Sequence, residues 1–309
     1  MEAKELDFEP VIEEDCTLIL HYLHLSGIEE SNHNIVNLFQ WRRQYPLWKL
    51  VSDEYLLLLG IHKGILFMYM PLCAPEHFNA AILKGKEIFT QSKVPYELSC
   101  YTKEGVAKVL EVLPDTQFVK ERDAFDYVYE AEKLRTYSGK KLQKRRNHIN
   151  AFMKEYEGRY VYEAIDDSNM QEVKSFLTHW KEKDSQDEYF KFEKQGAMDI
   201  LEGYGTIPWE GGLIRIDKEI RAFVIGSMSS GRMVQINIEK ADDSYRGLYQ
   251  VVEKEFLNRH FLSATLVNRE DDMGNEFLRA AKMALAPIYF IEKYRLREQH
   301  ETLQSIGYR

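Results

Sequence analysis

Two runs in the second half of the chain place carboxylates and amides where strand ends could bring them together. In Val234-Gln235-Ile236-Asn237-Ile238-Glu239 the period of two predicts a strand. Val234, Ile236 and Ile238 would face one side, and Gln235, Asn237 and Glu239 the other. A second run, Asn268-Arg269-Glu270-Asp271-Asp272, ends another expected strand. If the ends meet, Gln235, Asn237 and Asn268 line a cleft. Glu239 or Glu270 is then the base that takes a proton from an attacking amine or hydroxyl. A polar, exposed strand end would have the same spelling.

Two further runs suit phosphate. Lys140, Lys141, Lys144, Arg145 and Arg146 stand together at an expected helix start, in a chain of formal net charge -9. That density of positive charge fits a phosphate-bearing donor, with Lys140, Lys144 and Arg145 as its contacts; a solvated helix face is the plainer reading. The turn Asp242-Asp243-Ser244-Tyr245-Arg246-Gly247-Leu248 also precedes an expected helix. Arg246 and the N–H of Gly247 could hold a phosphate there. Asp242 and Asp243 disfavour a diphosphate, and Arg246-Gly247 could simply start the helix.

Other chemistries are excluded by what is missing. No G-x-S-x-G elbow, Walker loop or G-x-G-x-x-G occurs. His21 and His24 share a helix face without a third ligand nearby, so no metal is expected. The acidic balance argues against a general nucleic-acid coat. The acidic start has no secretory pattern, and the apolar stretches Tyr55–Leu59 and Ile65–Leu72 fall far short of the about 20 residues that span a bilayer. With three scattered cysteines, the expectation is a cytoplasmic protein without disulfides or a transmembrane segment.

These residues must be positioned by an α/β scaffold. Residues 159–300 read as strand (159–165), helix with a Ser168/Gln171 capping box, helix (189–201), three strands (212–217, 220–228, 233–239), helix (245–259), strand (264–268), helix (275–285) and a last extended segment (287–294). Residues 1–120 alternate strands and helices less regularly, with a helix expected over 35–45 and a hairpin from 55–59 and 64–70. A segment at 121–158, carrying the basic helix, joins the two.

The order in the second half is that of the GNAT acyltransferase fold. Moreover, Asn37-Leu38-Phe39-Gln40-Trp41-Arg42-Arg43, Gly139-Lys140-Lys141 through Asn147, and Asn268 through Gly274 resemble an uncharacterised bacterial family. That family is similar to the C-terminal domain of phosphatidylglycerol lysyltransferases, over nearly the whole chain. The resemblance implies a mixed-sheet α/β protein of two GNAT-like domains in tandem, related to the Fem peptidyltransferases: 1–120, the connector 121–158, and 159–309. It implies an acyl- or aminoacyl-transferase. The donor would be an aminoacyl-tRNA or an acyl-coenzyme A, and the acceptor an amine or hydroxyl on a small molecule, lipid or peptide. A GNAT-shaped binding protein without catalysis is the remaining alternative.

Overall fold

Two mixed sheets carry the chain, and both follow one plan. The computed structural model describes residues 8–180 and 188–299. In the first sheet β1 (Glu9–Pro10), β2 (Leu47–Val51), β3 (Tyr55–His62) and β4 (Ile65–Tyr69) are successive antiparallel neighbours. Then β6 (Glu97–Tyr101) lies parallel to β4, β15 (Tyr294–Arg297) antiparallel to β6, and β7 (Gln117–Lys120) antiparallel to β15. The short β5 (Leu72–Cys73) pairs with β3. In the second sheet β9 (Tyr160–Ala164), β10 (Glu210–Ile216), β11 (Glu219–Met228) and β12 (Met233–Ala241) are antiparallel. Next, β13 (Leu266–Asn268) is parallel to β12, β8 (Asp126–Glu130) antiparallel to β13, and β14 (Tyr289–Ile291) antiparallel to β8.

The strand next to the edge of each sheet comes from outside its own half. The expected connector supplies β8 to the second sheet, besides the helices α5 (Ala131–Thr136) and α6 (Gln143–Glu155). Residues 294–297 of the expected C-terminal unit close the first sheet. The halves therefore exchange strands.

The helices complete the layers. α1 (Cys16–Ser26), α2 (Ile35–Gln40), α7 (Met170–His179) and α8 (Glu188–Glu202) fill the space between the sheets. There Leu56 and Leu58 of β3 meet the same core as Phe223 and Ile225 of β11. α3 (Phe78–Gln91) and α4 (Lys103–Val112) cover the outer face of the first sheet through Leu57 and Leu59. α5, α6 and α9 (Leu248–Arg259) cover the outer face of the second. Burial on both faces explains why Leu56 to Leu59 is a continuous apolar run rather than an alternating one.

Local signals differ from expectation at three places. α2 stops at Gln40 instead of continuing to 45, and Asn34 caps its start by accepting from Val36 N and Asn37 N. The Ser168/Gln171 capping box does not form. Asp166 accepts from the Ser168 N–H and hydroxyl, and α7 begins only at Met170. The basic helix begins at Gln143, beyond Gly139. Among the described residues no helix is long and apolar enough to cross a membrane.

The crossing of the exchanged strands is pinned by a buried charge. Lys293, directly before β15, is fully buried. Its Nζ donates to Ser31 Oγ at 2.7 Å and Asn32 Oδ1 at 2.6 Å, and lies 2.8 Å from Asp126 Oδ1 and 3.3 Å from Glu30 Oε2. Asp126, which opens β8, also accepts from Ser31 N at 2.7 Å and Asn268 Nδ2 at 3.1 Å. Burial alone would lower the lysine pKa, but Asp126 and Asp271 outweigh it and hold it raised. Removing one member leaves carboxylates buried without a counter-charge. Lys293→Met is therefore expected to cost about 3–5 kcal/mol in urea denaturation. A loss below about 1 kcal/mol would show that the crossing does not depend on this charge.

Candidate active site

The parallel ladder between β12 and β13 is short. It pairs Met233–Gln235 with Leu266–Asn268 and ends there, while β12 continues to Ala241. Glu270 then turns the chain away with a φ of 58°. A cavity of about 900 Å³ opens in this gap, and Glu239 and Glu270 both line it. The first half reaches in with Asn37, Gln40, Trp41 and Gln44, on and after α2. α2 lies close to α8 because residue 196 is glycine: a Cβ there would stand 2.0 Å from the Gln40 carbonyl oxygen. That approach brings the Trp41 and Tyr189 rings to 5.2 Å.

A β-bulge aims the side chains of β12. Ile225 pairs with Ile238 and Gly226 with Ile236, so Asn237 is the extra residue. The alternation expected for 234–239 breaks at that point. Val234 and Ile236 pack in the α9 core, whereas Ile238 packs between the sheets. Glu239 thus faces α9 and not the side of Gln235. Bulges commonly re-aim a side chain beside a site in this manner.

Below the cavity runs a chain of charge. Arg269 bonds Glu239 through Nη2 and Glu253 Oε1 through Nη1 at 2.6 Å. The Tyr137 hydroxyl donates to Glu253 Oε2 at 2.5 Å. Burial pushes the Glu239 carboxyl up to about 7, although Arg269 pulls it down. Glu270 is likewise pushed up to about 7 by burial, against the pull of Lys282, and accepts from Gln235 Nε2 at 2.8 Å. Lys282 is pushed down to about 8 by burial, and its Nζ donates to the backbone carbonyls of Arg269 and Asp271. It fixes the loop that carries Glu270. Three buried oxygens on lining residues, Gln40 Oε1, Gln44 Oε1 and Glu239 Oε1, have no hydrogen-bond partner among the described residues.

The expected site residues divide. Glu239, Glu270, Asn237 and Arg145 line the cavity together. Arg145 also donates to the Ala281 carbonyl at 3.0 Å. Gln235 and Asn268 are fully buried and do not line it. Gln235 donates to Glu270 and to the Ser31 carbonyl, while Asn268 bonds Asp126 and Glu29 of the strand crossing. Lys140 and Lys144 are exposed outside the cavity. Arg246 and Gly247 are not at it either. Arg246 Nη2 lies 2.8 Å from His148 Nε2, and the His148 carbonyl of α6 packs on Gly247. Sequence reasoning missed Arg269, Glu253, Lys282 and the aromatic wall. The available signals were Glu253 within the apolar stripe of α9 and Lys282 between Leu278 and Leu285.

Two expectations follow. Gly247 has a φ of 91°, and a Cβ there would stand 2.7 Å from the His148 carbonyl oxygen. Gly247→Ala should cost about 1–3 kcal/mol in thermal or urea denaturation; an unchanged midpoint would free this glycine of its packing role. The second expectation concerns pH. Because the folded Glu270 holds its proton more tightly than the unfolded chain does, its stabilising contribution is complete below about 4.5 and lost as pH rises through about 7. Glu270→Gln should flatten that decline and raise stability at pH 8, on the order of 2 kcal/mol. Parallel stability–pH curves for the two proteins would refute the assignment.

The family described as phosphatidylglycerol lysyltransferase, C-terminal, matches residues 25–297. A conserved protein of unknown function from Bacteroides thetaiotaomicron is 27% identical with a TM-score of 0.90, covering 96% of this chain and 100% of that one. The structure of L-PGS from Bacillus licheniformis is 14% identical, with a TM-score of 0.69 over 97% and 96%. A tandem GNAT protein from the clavulanic acid pathway is 12% identical, with a TM-score of 0.50 over 95% and 98%; these last two likenesses are of fold. An uncharacterised protein of Mycoplasmoides gallisepticum is 28% identical over 183 residues, which is 58% of each chain. The chain thus spans somewhat over half the length of that curated relative. The family match extends from the last turn of α1 to the last residue of β15, and so takes in the strand exchange and the whole cavity wall: the chain belongs to the phosphatidylglycerol lysyltransferase C-terminal family.

Proposed function

We propose that the cavity transfers an acyl or aminoacyl group from a phosphate-bearing donor, foremost a charged tRNA, to an amine or hydroxyl acceptor. The observation that carries this is the set of unpartnered acceptors on Gln40, Gln44 and Glu239. Buried oxygens without partners favour a ligand that brings N–H or O–H donors. An amino group, on the transferred residue or on the acceptor, has that character. Membership in a family described as phosphatidylglycerol lysyltransferase supports the same reaction type.

In this reading the acceptor nitrogen or oxygen attacks the donor's ester carbonyl. Its proton passes to a carboxylate, the ester C–O bond breaks, and the departing hydroxyl takes a proton back. Glu239 is the preferred base, since its Oε1 is uncommitted while Oε2 is held by Arg269. Glu270 is the alternative, already engaged by Gln235. Both carboxyls sit near 7, where one group can accept and return a proton at neutral pH. Arg145 at the cavity edge, with Lys140 and Lys144 outside it, would hold the donor's phosphates. The reaction belongs in the cytoplasm, where charged tRNA is found.

An acyl-coenzyme A donor is the second candidate. Against it stands the Arg246–Gly247 turn, whose glycine is packed on the His148 carbonyl where a diphosphate would need to approach.

The test is a transfer assay with labelled aminoacyl-tRNAs and acyl-coenzyme A, against small amines, peptides and phosphatidylglycerol vesicles. Turnover of aminoacyl-tRNA is expected, rising with pH through about 7 as the base ionises. Glu239→Gln should lower it by about 10²–10⁴-fold. Turnover confined to acyl-coenzyme A and abolished by Arg246→Ala would replace this reading with an ordinary acyltransferase. No turnover with any donor would leave a binding protein.

A further inference from the structure

The shared plan of the two sheets gives the molecule a second cavity. It measures about 730 Å³ and is bounded by the α1–α2 loop, the ends of β4 and β6, and the first turns of α3 and α4. The first cavity is bounded by the counterparts: Trp180 just after α7 with Tyr189 and Glu193 of α8, the ends of β12 and β13, and the first turns of α9 and α10 (Glu276–Met283). Even the caps correspond. Thr102 opens α4 by accepting from Gly105 N, and Asn275 opens α10 by accepting from Phe277 N and Leu278 N. Each cavity also takes a wall from the other half; for the second these are Arg232 and Tyr289–Ile291.

The chemistry at equivalent places is different. Where the first cavity has Asn237 and Glu239 at the end of its central strand, the second has Met70 and Pro71. Where α9 brings Gln250 and Glu253, α3 brings Phe78. Phe290 and Ile291 add to this apolar wall. The acids around it are largely committed: Glu29 to Arg232 at 2.9 Å, Glu30 to Lys293 at 3.3 Å and Glu292 to Lys120 at 2.5 Å. Glu104 remains, exposed. Two lining cations, Lys103 and Lys108, form no ion pair with any described residue, and Lys108 Nζ stands 5.1 Å over the Phe78 ring. The one thiol present, Cys73, is pushed up to about 11 by burial and is no nucleophile near neutrality.

We infer that this second cavity is a binding site, without chemistry of its own, for a small organic anion: an apolar body against Met70, Phe78 and Phe290, and a carboxylate or phosphate at Lys103 and Lys108. Its volume lies within the usual range for small-molecule sites, and its apolar lining with a few convergent polar groups is their usual make-up. The inference does not depend on the transfer reading of the first cavity.

Titration calorimetry with benzoate and with phenyl phosphate tests it on the full chain. Saturable binding of one probe per chain is expected for at least one of the two, and the pair distinguishes a carboxylate site from a phosphate site. The Lys103→Ala/Lys108→Ala variant should weaken binding about tenfold or more, and Arg145→Ala, at the first cavity, should leave it unchanged. Lys108→Gln, which removes the charge but keeps most of the side chain, serves as a second variant should the double one fold poorly. Absence of saturable binding to the wild-type chain, indifference to the lysine variants, or loss with Arg145→Ala would each overturn the inference.

Discussion

The buried ammonium of Lys293 is the constraint on which the rest of the structure depends. It sits where two strands change sheets, and it ties Asp126 of one crossing strand to Ser31, Asn32 and Glu30 of the first half. A charge taken so far from water is tolerated only with close counter-charges and every proton used. That requirement fixes the loop 29–32 against both sheets. The same loop then gives Ser31 and Asn32 to the first cavity and Glu29 and Glu30 to the second. One polar cluster therefore sets the register of the strand exchange and builds the partition between two cavities.

The candidate site follows from backbone irregularity more than from any single side chain. A ladder that ends at Gln235 and Asn268 makes the gap, a bulge at Asn237 turns Glu239 toward α9, and a left-handed residue at Glu270 sends the next loop across. Inside the gap, burial and charge work against each other. Burial raises both glutamates, while Arg269 and Lys282 pull them down, and the balance leaves them near 7. A drier cavity would keep both protonated, and a more cationic one would keep both ionised. Neither could pass a proton back and forth at neutral pH.

Much of this was legible in the chain, and the illegible part has physical causes. Strand and helix order in the second half showed in the periods of 2.0 and 3.6, and Glu239, Glu270 and Asn237 could be named because carboxylates and amides at strand ends stand out. The bulge could not be read, since it reflects the pairing of Gly226 with Ile236 across the sheet. Nor could the strand exchange: Asp126–Glu130 reads as a strand, but nothing local says which sheet it joins. Gln235 and Asn268 misled for a related reason. Polar residues on a strand near a site look like lining, but these two are consumed by the joint between the halves. Arg246-Gly247 matched a phosphate turn in spelling, and only the distant His148 carbonyl reveals that the glycine serves packing.

The basic run shows how one helix can serve both packing and charge. α6 must bury Ile149 and Phe152 against the second sheet, and it does so across the start of α9, where the His148 carbonyl meets Gly247. With that face committed, its first turn is left at the rim of the cavity, where Arg145 reaches the Ala281 carbonyl of α10. Arg146 is drawn back to the Tyr137 and Gly139 carbonyls and shapes the turn. Lys140 and Lys144 stay exposed beside it. Only part of the run is therefore available to a ligand, and its placement is decided by the apolar stripe on the opposite side. The helix that shuts the turn before α9 is the same one that brings positive charge to the cavity rim. Long flexible cations at a rim impose less shape on an anion than buried backbone N–H groups do, so a contact made through this run would select for charge more than for shape.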